Sequence, residues 1–162
     1  MPFRKREGDG VNLELGLGTA VAAAAVAMAA VLIPACTPKP SAPEPDRVVV
    51  QHILVSFAGK LPGKPVRRRQ AEAAERAAEV LARAQKGDDF DALVKEYTDD
   101  QYPGRYTMVN NGRTPAAGEY GRDQMVAGFG DTSFPLAVGG IGMCVYDNVR
   151  SPFGWHIIKR IE

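Results

Sequence analysis

VVVQHILVSF, residues Val48–Phe57, is the stretch on which the fold turns. It is rich in β-branched residues and too short for a typical core helix, so it reads as a strand buried on both faces. Gly59, Pro62, Gly63 and Pro65 then break it. At the other end of the chain GWHIIKRIE, residues 154–162, alternates Trp155, Ile157, Lys159 and Ile161 against His156, Ile158 and Arg160, the pattern of a second strand. Between them Gln70–Gln85 places Ala73, Ala77, Val80, Leu81 and Ala84 near one helical face, with Glu72/Arg76 and Glu79/Arg83 spaced to pair at i,i+4 and Gly87 as the stop. A second helix is expected after Asp88-Asp89, whose carboxylates can cap it, with Phe90, Leu93, Val94 and Tyr97 as its apolar stripe. Tyr102–Gly121 lacks a clear period and reads as a long loop with room for one short strand. Asp123 and Asp131 are expected to cap two further short helices, and CVYDNVRS, residues 144–151, to form a strand. Strand, helices, then strands make an α+β fold.

Upstream of this domain the composition changes. Arg4-Lys5-Arg6 precede Leu15–Ile33, which carries no charge, and the run ends in Ile33-Pro34-Ala35-Cys36. A basic stretch, an apolar run and small residues before a cut is the layout of an export signal. This segment resembles a bacterial lipoprotein signal, with Pro34 standing where a small residue is usual, and the resemblance implies lipidation at Cys36. An uncleaved anchor is the alternative, because the run is also about long enough to cross the ~30 Å hydrocarbon core as a helix. Residues 1–35 are thus expected to be signal or anchor. CTPKPSAPEPDR, residues 36–47, has four prolines and no bulky apolar residue, and is expected to be a disordered tether. Residues 48–162 are left as one folded domain facing the periplasm or exterior of a bacterial cell envelope. If Cys36 is lipidated, Cys144 has no intramolecular partner and reads as a small buried hydrophobe.

Over the whole chain 20 Lys and Arg stand against 19 Asp and Glu, a formal net charge of +1, which removes the usual electrostatic support for nucleic-acid binding. No ligand spacing marks a metal site, no Gly-rich loop a phosphate site and no Gly-x-Ser-x-Gly elbow a nucleophile, so no cofactor is expected. Only two histidines are present, His52 and His156, and both fall inside the two clearest strands. Buried imidazoles are costly unless both ring nitrogens are satisfied. The two are either separate core residues or, if their strands are neighbours, hydrogen-bonded to each other.

QHILV, FDALVKEYTDD, GEYG, DQMVAGFGDTSFPL and VRSPFGWHIIKRIE, taken in order from Val48 to Glu162, together resemble the parvulin family of peptidyl-prolyl cis/trans isomerases. The resemblance implies a small antiparallel sheet of about four strands surrounded by about four helices, and a non-covalent rotamase acting on proline-containing unfolded or extended polypeptides. It implies that His52 and His156 are the paired central histidines, with Ser151 as the hydroxyl beside them and Asp100 as the acidic group facing substrate. Met125 and Phe129, with Tyr120 at a usually aliphatic position, correspond to the proline pocket, and Phe153 to its rim. Lys60, Lys64 and Arg67 to Arg69 form a basic run where some family members bind an acidic or phosphorylated residue before proline. Two stretches depart from the family pattern by their length: QYPGRYTMVNNGRTPAA, residues 101–117, and GGIGMCVYDNV, residues 139–149. A monomeric folding catalyst attached to the membrane through an N-terminal lipid or helix is the expected whole. A non-catalytic peptide-holding module is the alternative.

Overall fold

A computed structural model of the chain describes residues 43–162, so the expected signal or anchor, Cys36 and most of the tether lie outside the described residues. The first strand, β1 (Arg47–Val55), occupies the middle of a five-stranded sheet. On one side it pairs antiparallel with the last strand, β5 (Trp155–Arg160), which pairs in turn with β4 (Ile141–Cys144). On the other side lie β2 (Arg105–Val109), antiparallel to β1, and β3 (Tyr120–Gly121), parallel to β2. The sheet order is β3-β2-β1-β5-β4. The class is α+β as expected. The sheet has five strands instead of about four, and it is mixed, because the stretch expected to be a loop supplies β2 and β3. Residues 105–109, RYTMV, hold strand formers, but they are flanked by Pro103, Gly104, Asn110, Asn111 and Gly112, which mask the signal. What makes β2 a strand is its place beside β1, where Met108 stands opposite Val48 and is fully buried.

The period-two alternation sorts the core into two layers. Ile53, Val55, Trp155 and Ile157 face α1 (Gln70–Lys86) and α2 (Phe90–Tyr97) and bury Ala73, Ala77, Val80, Leu93 and Val94 between them. Val48, Val50, Met108, Cys144 and Ile158 face the opposite way, onto Phe129 and Phe134. Each fully buried Val, Leu or Ile contributes roughly 1.5–3 kcal/mol of transfer free energy. Cys144 is a buried member of this second layer, as its neighbours in sequence suggested.

Helix ends follow the local chemistry. Gly87 closes α1 at φ 99°, a left-handed conformation that glycine adopts without penalty, and the Asp89 carboxylate accepts the Ala92 amide at 2.7 Å to start α2. The i,i+4 pairs expected along α1 do not form. Glu72 turns back to Arg69, whose amide and guanidinium both donate to it, Arg83 reaches Asp88 and Tyr97, and the Arg76 guanidinium lies over the Tyr97 ring at 4.5 Å. The Arg69–Glu72 pair also offsets the mild cost of a cation at a helix N-terminus.

Two further expectations are corrected. The segment from Asp123 forms one α-helix, α3 (Ala127–Ser133), preceded by a 3-10 turn (Arg122–Gln124), so three α-helices surround the sheet. Asp123 lies inside that turn and caps nothing, since Gln124 Oε1 accepts the Gly121 amide and Met125 and Val126 are extended. Asp131 lies within α3, and Pro135 follows its end. CVYDNVRS is a strand only to Cys144. Beyond it Asp147 Oδ1 accepts the Val149 and Arg150 amides at 2.8 Å, and Asp147 pairs with Ser151, which folds the stretch into a turn.

Contacts with the domain begin before Val48. Glu44 pairs with Arg122 at 2.5 Å, Asp46 with Arg113 at 2.7 Å and Arg47 with Glu119 at 2.8 Å, while the Asn110 side chain donates to the Pro45 carbonyl at 3.1 Å. Residues 43–47, the end of the expected tether, thus lie against β2, β3 and the 3-10 turn.

Candidate active site

Because β1 and β5 are antiparallel neighbours, with Leu54 opposite His156 and His52 opposite Ile158, the two imidazoles project from the same face of adjacent strands. Their Nδ1 atoms are 3.2 Å apart and the rings stack at 5.4 Å with 14° between planes. Both are buried, at 2% and 5% exposure, so the paired arrangement is the one that forms. On its other side His52 Nε2 lies 3.2 Å from Asp100 Oδ2. A carboxylate only accepts, so His52 carries its proton on Nε2 and donates it to Asp100. On its other ring nitrogen His52 shares a hydrogen bond with His156 Nδ1. His156 Nε2 is left without a partner, consistent with a bare ring nitrogen. Burial, with the neighbouring His52 ring second, pushes the His156 imidazole down to about 3, so it is neutral at physiological pH.

Asp100 is held in register by the residues before it. The Thr98 hydroxyl accepts the Leu54 amide at 3.2 Å, the Asp99 amide donates to the Leu54 carbonyl at 2.8 Å, and Asp99 Oδ2 accepts the Ser56 amide at 2.8 Å and the Arg68 guanidinium. The end of α2 is thereby stitched to β1, and the next side chain falls beside His52. The hydrogen bond from His52 outweighs burial and holds the Asp100 carboxyl below the usual carboxylate range.

A cavity of about 320 Å³ opens against this chain, within the usual size of ligand pockets. Met125, Phe129 and Phe153 line it together with His52, His156 and Asp100. Phe129 is 1% exposed and meets both imidazoles edge to face, at 5.2 and 5.4 Å. Phe153 is 40% exposed at the rim, fixed by the Ser56 hydroxyl on its carbonyl at 2.6 Å. Two expected residues stand elsewhere. Ser151 is fully buried but donates to the Gly154 carbonyl at 2.7 Å, bracing the turn before β5, and makes no hydrogen bond to either histidine. Tyr120 is 45% exposed and lies outside the cavity lining, packed on Tyr106 at 5.6 Å.

Leu54, Leu61, Tyr106, Gln124 and Val126 complete the lining and were not singled out from sequence. Tyr106 and Met108 alternate within RYTMV, a signal that a strand reading of residues 105–109 would have used. The basic run is largely occupied: Lys60 lies over the Phe57 and Tyr146 rings, Lys64 donates to the Asp99 carbonyl at 2.5 Å, Arg68 binds Asp99 and Ser56, and Arg69 holds Glu72. Among the described residues no group of three His, Cys, Asp or Glu could hold a metal, and no helix is long and apolar enough to cross a membrane.

A family model described as the PPIC-type PPIASE domain matches residues 38–162. The chain belongs to this family, the parvulin-type peptidyl-prolyl cis/trans isomerases. Among curated proteins it is 39% identical over 83 residues to the foldase protein PrsA of Geobacillus kaustophilus and 35% identical over 83 residues to foldase protein PrsA 4 of Bacillus cereus. Each match covers 51% of this chain, which spans about a quarter, 26%, of either relative. The solution structure of TbPIN1 superposes with a TM-score of 0.52 at 21% identity, covering 72% of this chain and 98% of that one, a likeness of fold.

Proposed function

We propose that this chain accelerates cis/trans isomerisation of X-Pro bonds in proline-containing unfolded or extended polypeptides, and assists the folding of exported proteins at a bacterial cell envelope. The observation that carries it is the polar chain His156–His52–Asp100 ending beside an apolar cavity built on Met125 and Phe129. Rotation about the peptide bond faces a barrier of ~18–20 kcal/mol because resonance gives the C–N bond double-bond character. Twisting localises the nitrogen lone pair and reduces charge separation, so a pocket that strips water from the planar amide favours the twisted state. Met125 and Phe129 would hold the proline ring while the preceding residue turns. The Asp100 carboxylate, beside the carbonyl, would disfavour the polarised planar form, and the histidine pair would fix the floor. A 10⁴-fold acceleration requires about 5.5 kcal/mol of preferential transition-state binding, within reach of orientation, desolvation and one or two polar contacts.

The basic stretch, apolar run and Cys36 support export and attachment through a lipid at Cys36 or a retained helix. The curated relatives' name, foldase, supports a role in folding. One observation favours holding peptides without turnover: Val145, Val149 and Phe153, at 56%, 84% and 40% exposure, offer apolar surface along the turn before β5. The deciding experiment measures isomerisation of an X-Pro peptide by the full chain in mild detergent, with suppression of aggregation of an unfolded protein alongside. Turnover supports the isomerase; suppression with no turnover supports the holding module.

A further inference from the structure

We infer that Tyr106, supplied by the long segment between Asp100 and Gly118, is a positioning residue that orients the Asp100 carboxylate toward the substrate. The inference rests on the isomerase reading above. Two donors converge on one oxygen: His52 Nε2 at 3.2 Å and the Tyr106 hydroxyl at 3.4 Å both meet Asp100 Oδ2. The Lys64 ammonium lies 3.9 Å from Oδ1, beyond hydrogen-bond distance, and the Gln101 backbone amide adds to the hold on the carboxyl group. A carboxylate held by a single contact swings about its Cβ–Cγ bond. Donors from two directions on Oδ2 limit that rotation, and Oδ1 takes neither of them beside the cavity that both Asp100 and Tyr106 line.

The tyrosine is itself braced for this task. Its ring meets His52 at 5.3 Å, Phe129 at 5.9 Å and Tyr120 at 5.6 Å, each edge to face, so the phenol oxygen is placed by three aromatic neighbours from two strands and one helix. Burial, followed by the Asp100 charge, pushes the phenol up to about 12, so it remains a protonated donor throughout the working range. The family resemblance assigns the aliphatic side of the pocket to the position of Tyr120. Here β2 stands between β3 and β1, and Tyr106 takes the wall while Tyr120 backs it from outside. The wall therefore carries a hydroxyl where an aliphatic side chain would carry none.

The test uses the full chain in mild detergent and a proline-containing peptide whose isomerisation is followed by NMR exchange. Tyr106→Phe keeps the ring and its packing and removes only the donor. It is expected to lower kcat roughly three- to tenfold with KM within about twofold, whereas Tyr106→Leu, which removes the wall, raises KM. In an Asp100→Ala background Tyr106→Phe is expected to cost nothing further, since the phenol acts through the carboxylate, while a purely structural role costs the same factor in both backgrounds. Should Asp100→Ala fall below detection, the contrast between a kcat loss in Tyr106→Phe and a KM rise in Tyr106→Leu decides the matter. Full activity in Tyr106→Phe, additive losses, or a loss confined to KM would each overturn the assignment. An inactive wild-type chain would instead refute the isomerase reading.

Discussion

Acidification offers a direct probe of the histidine pair. His156 is 5% exposed and its imidazole is pushed down from 6.5 to about 3 by burial, then by His52. Above pH 6.5 neither the folded nor the unfolded chain protonates this ring, and it contributes no pH dependence. Below that, the unfolded chain takes up a proton that the folded chain refuses, so stability falls as pH falls, by about 1.4 kcal/mol per unit, until the folded-state value is reached. Asp100 is depressed, so its stabilising contribution is present above the ordinary carboxylate value and is lost only on going below it. Glu72 and Glu119, likewise depressed, begin to lose their contribution at the lower end of the interval from pH 6.5 to 4.5, so the part due to the histidine, roughly 2–3 kcal/mol, is the difference from a chain that lacks the ring. Urea unfolding at pH 7, 6, 5 and 4.5, followed by far-UV circular dichroism, measures this directly, with His156→Leu as the comparison that lacks the titrating ring. A wild-type stability flat across this interval, or the same slope in His156→Leu, would refute the argument that the ring is buried neutral.

Three other outcomes follow from the geometry. Asp100→Ala is expected to lower kcat/KM roughly tenfold or more, with a stability loss of only about 1 kcal/mol from the lost acceptor of His52, measured by peptide isomerisation and thermal melting. Gly154 sits at φ 145° with the Val55 carbonyl oxygen 2.3 Å from where a Cβ would lie, whereas Gly59 at φ 81° has nothing within 4 Å, so Gly154→Ala is expected to cost about 3 kcal/mol or more and Gly59→Ala about 1 kcal/mol; equal costs in a denaturant titration would contradict this. Since Lys64, Arg68 and Arg69 already have protein partners, phosphoserine-Pro, Glu-Pro and Ala-Pro peptides are expected to turn over within about threefold of one another, and a strong preference for the phosphorylated peptide would show that these contacts yield to substrate.

What could be read in advance was whatever repeats within an element. Val48–Phe57 showed itself as a short β-branched apolar run and the closing strand through its alternation, and the antiparallel pairing of the two sets His52 and His156 side by side. The two long helices declared themselves through apolar spacing, Asp89 and Gly87. Segments whose structure is imposed by neighbours stayed hidden. Nothing local in residues 105–109 outweighs the surrounding glycine, asparagine and proline, and the strand exists because β1 offers Val48 and Val50 as partners. Tyr106 was missed for the same reason, lying in a stretch that the family motifs skip. Asp123 looked like a cap because capping residues are recognised by type, yet the extended backbone at Met125 and Val126 moved the helix start past it. Ser151 matches by position, yet its hydroxyl is engaged by the Gly154 carbonyl, which no sequence pattern announces.

The segment around Glu44 has a mechanical meaning. Its partner Arg122 opens the 3-10 turn that carries Gln124 and leads directly into Met125, two residues of the cavity wall. A pull on the chain ahead of Pro43 is therefore borne first by that turn, and only afterwards by the sheet that holds the histidines. Excising the domain at Val48 would remove Glu44, Asp46 and Arg47 together and leave Arg122 with Asp131 as its one remaining acidic partner, so a cut ahead of Pro43 preserves the wall. The Asp46 and Arg47 pairs are the more exposed and weaken with ionic strength, whereas Arg122, 14% exposed, is screened less, so salt loosens this segment before it reaches the wall.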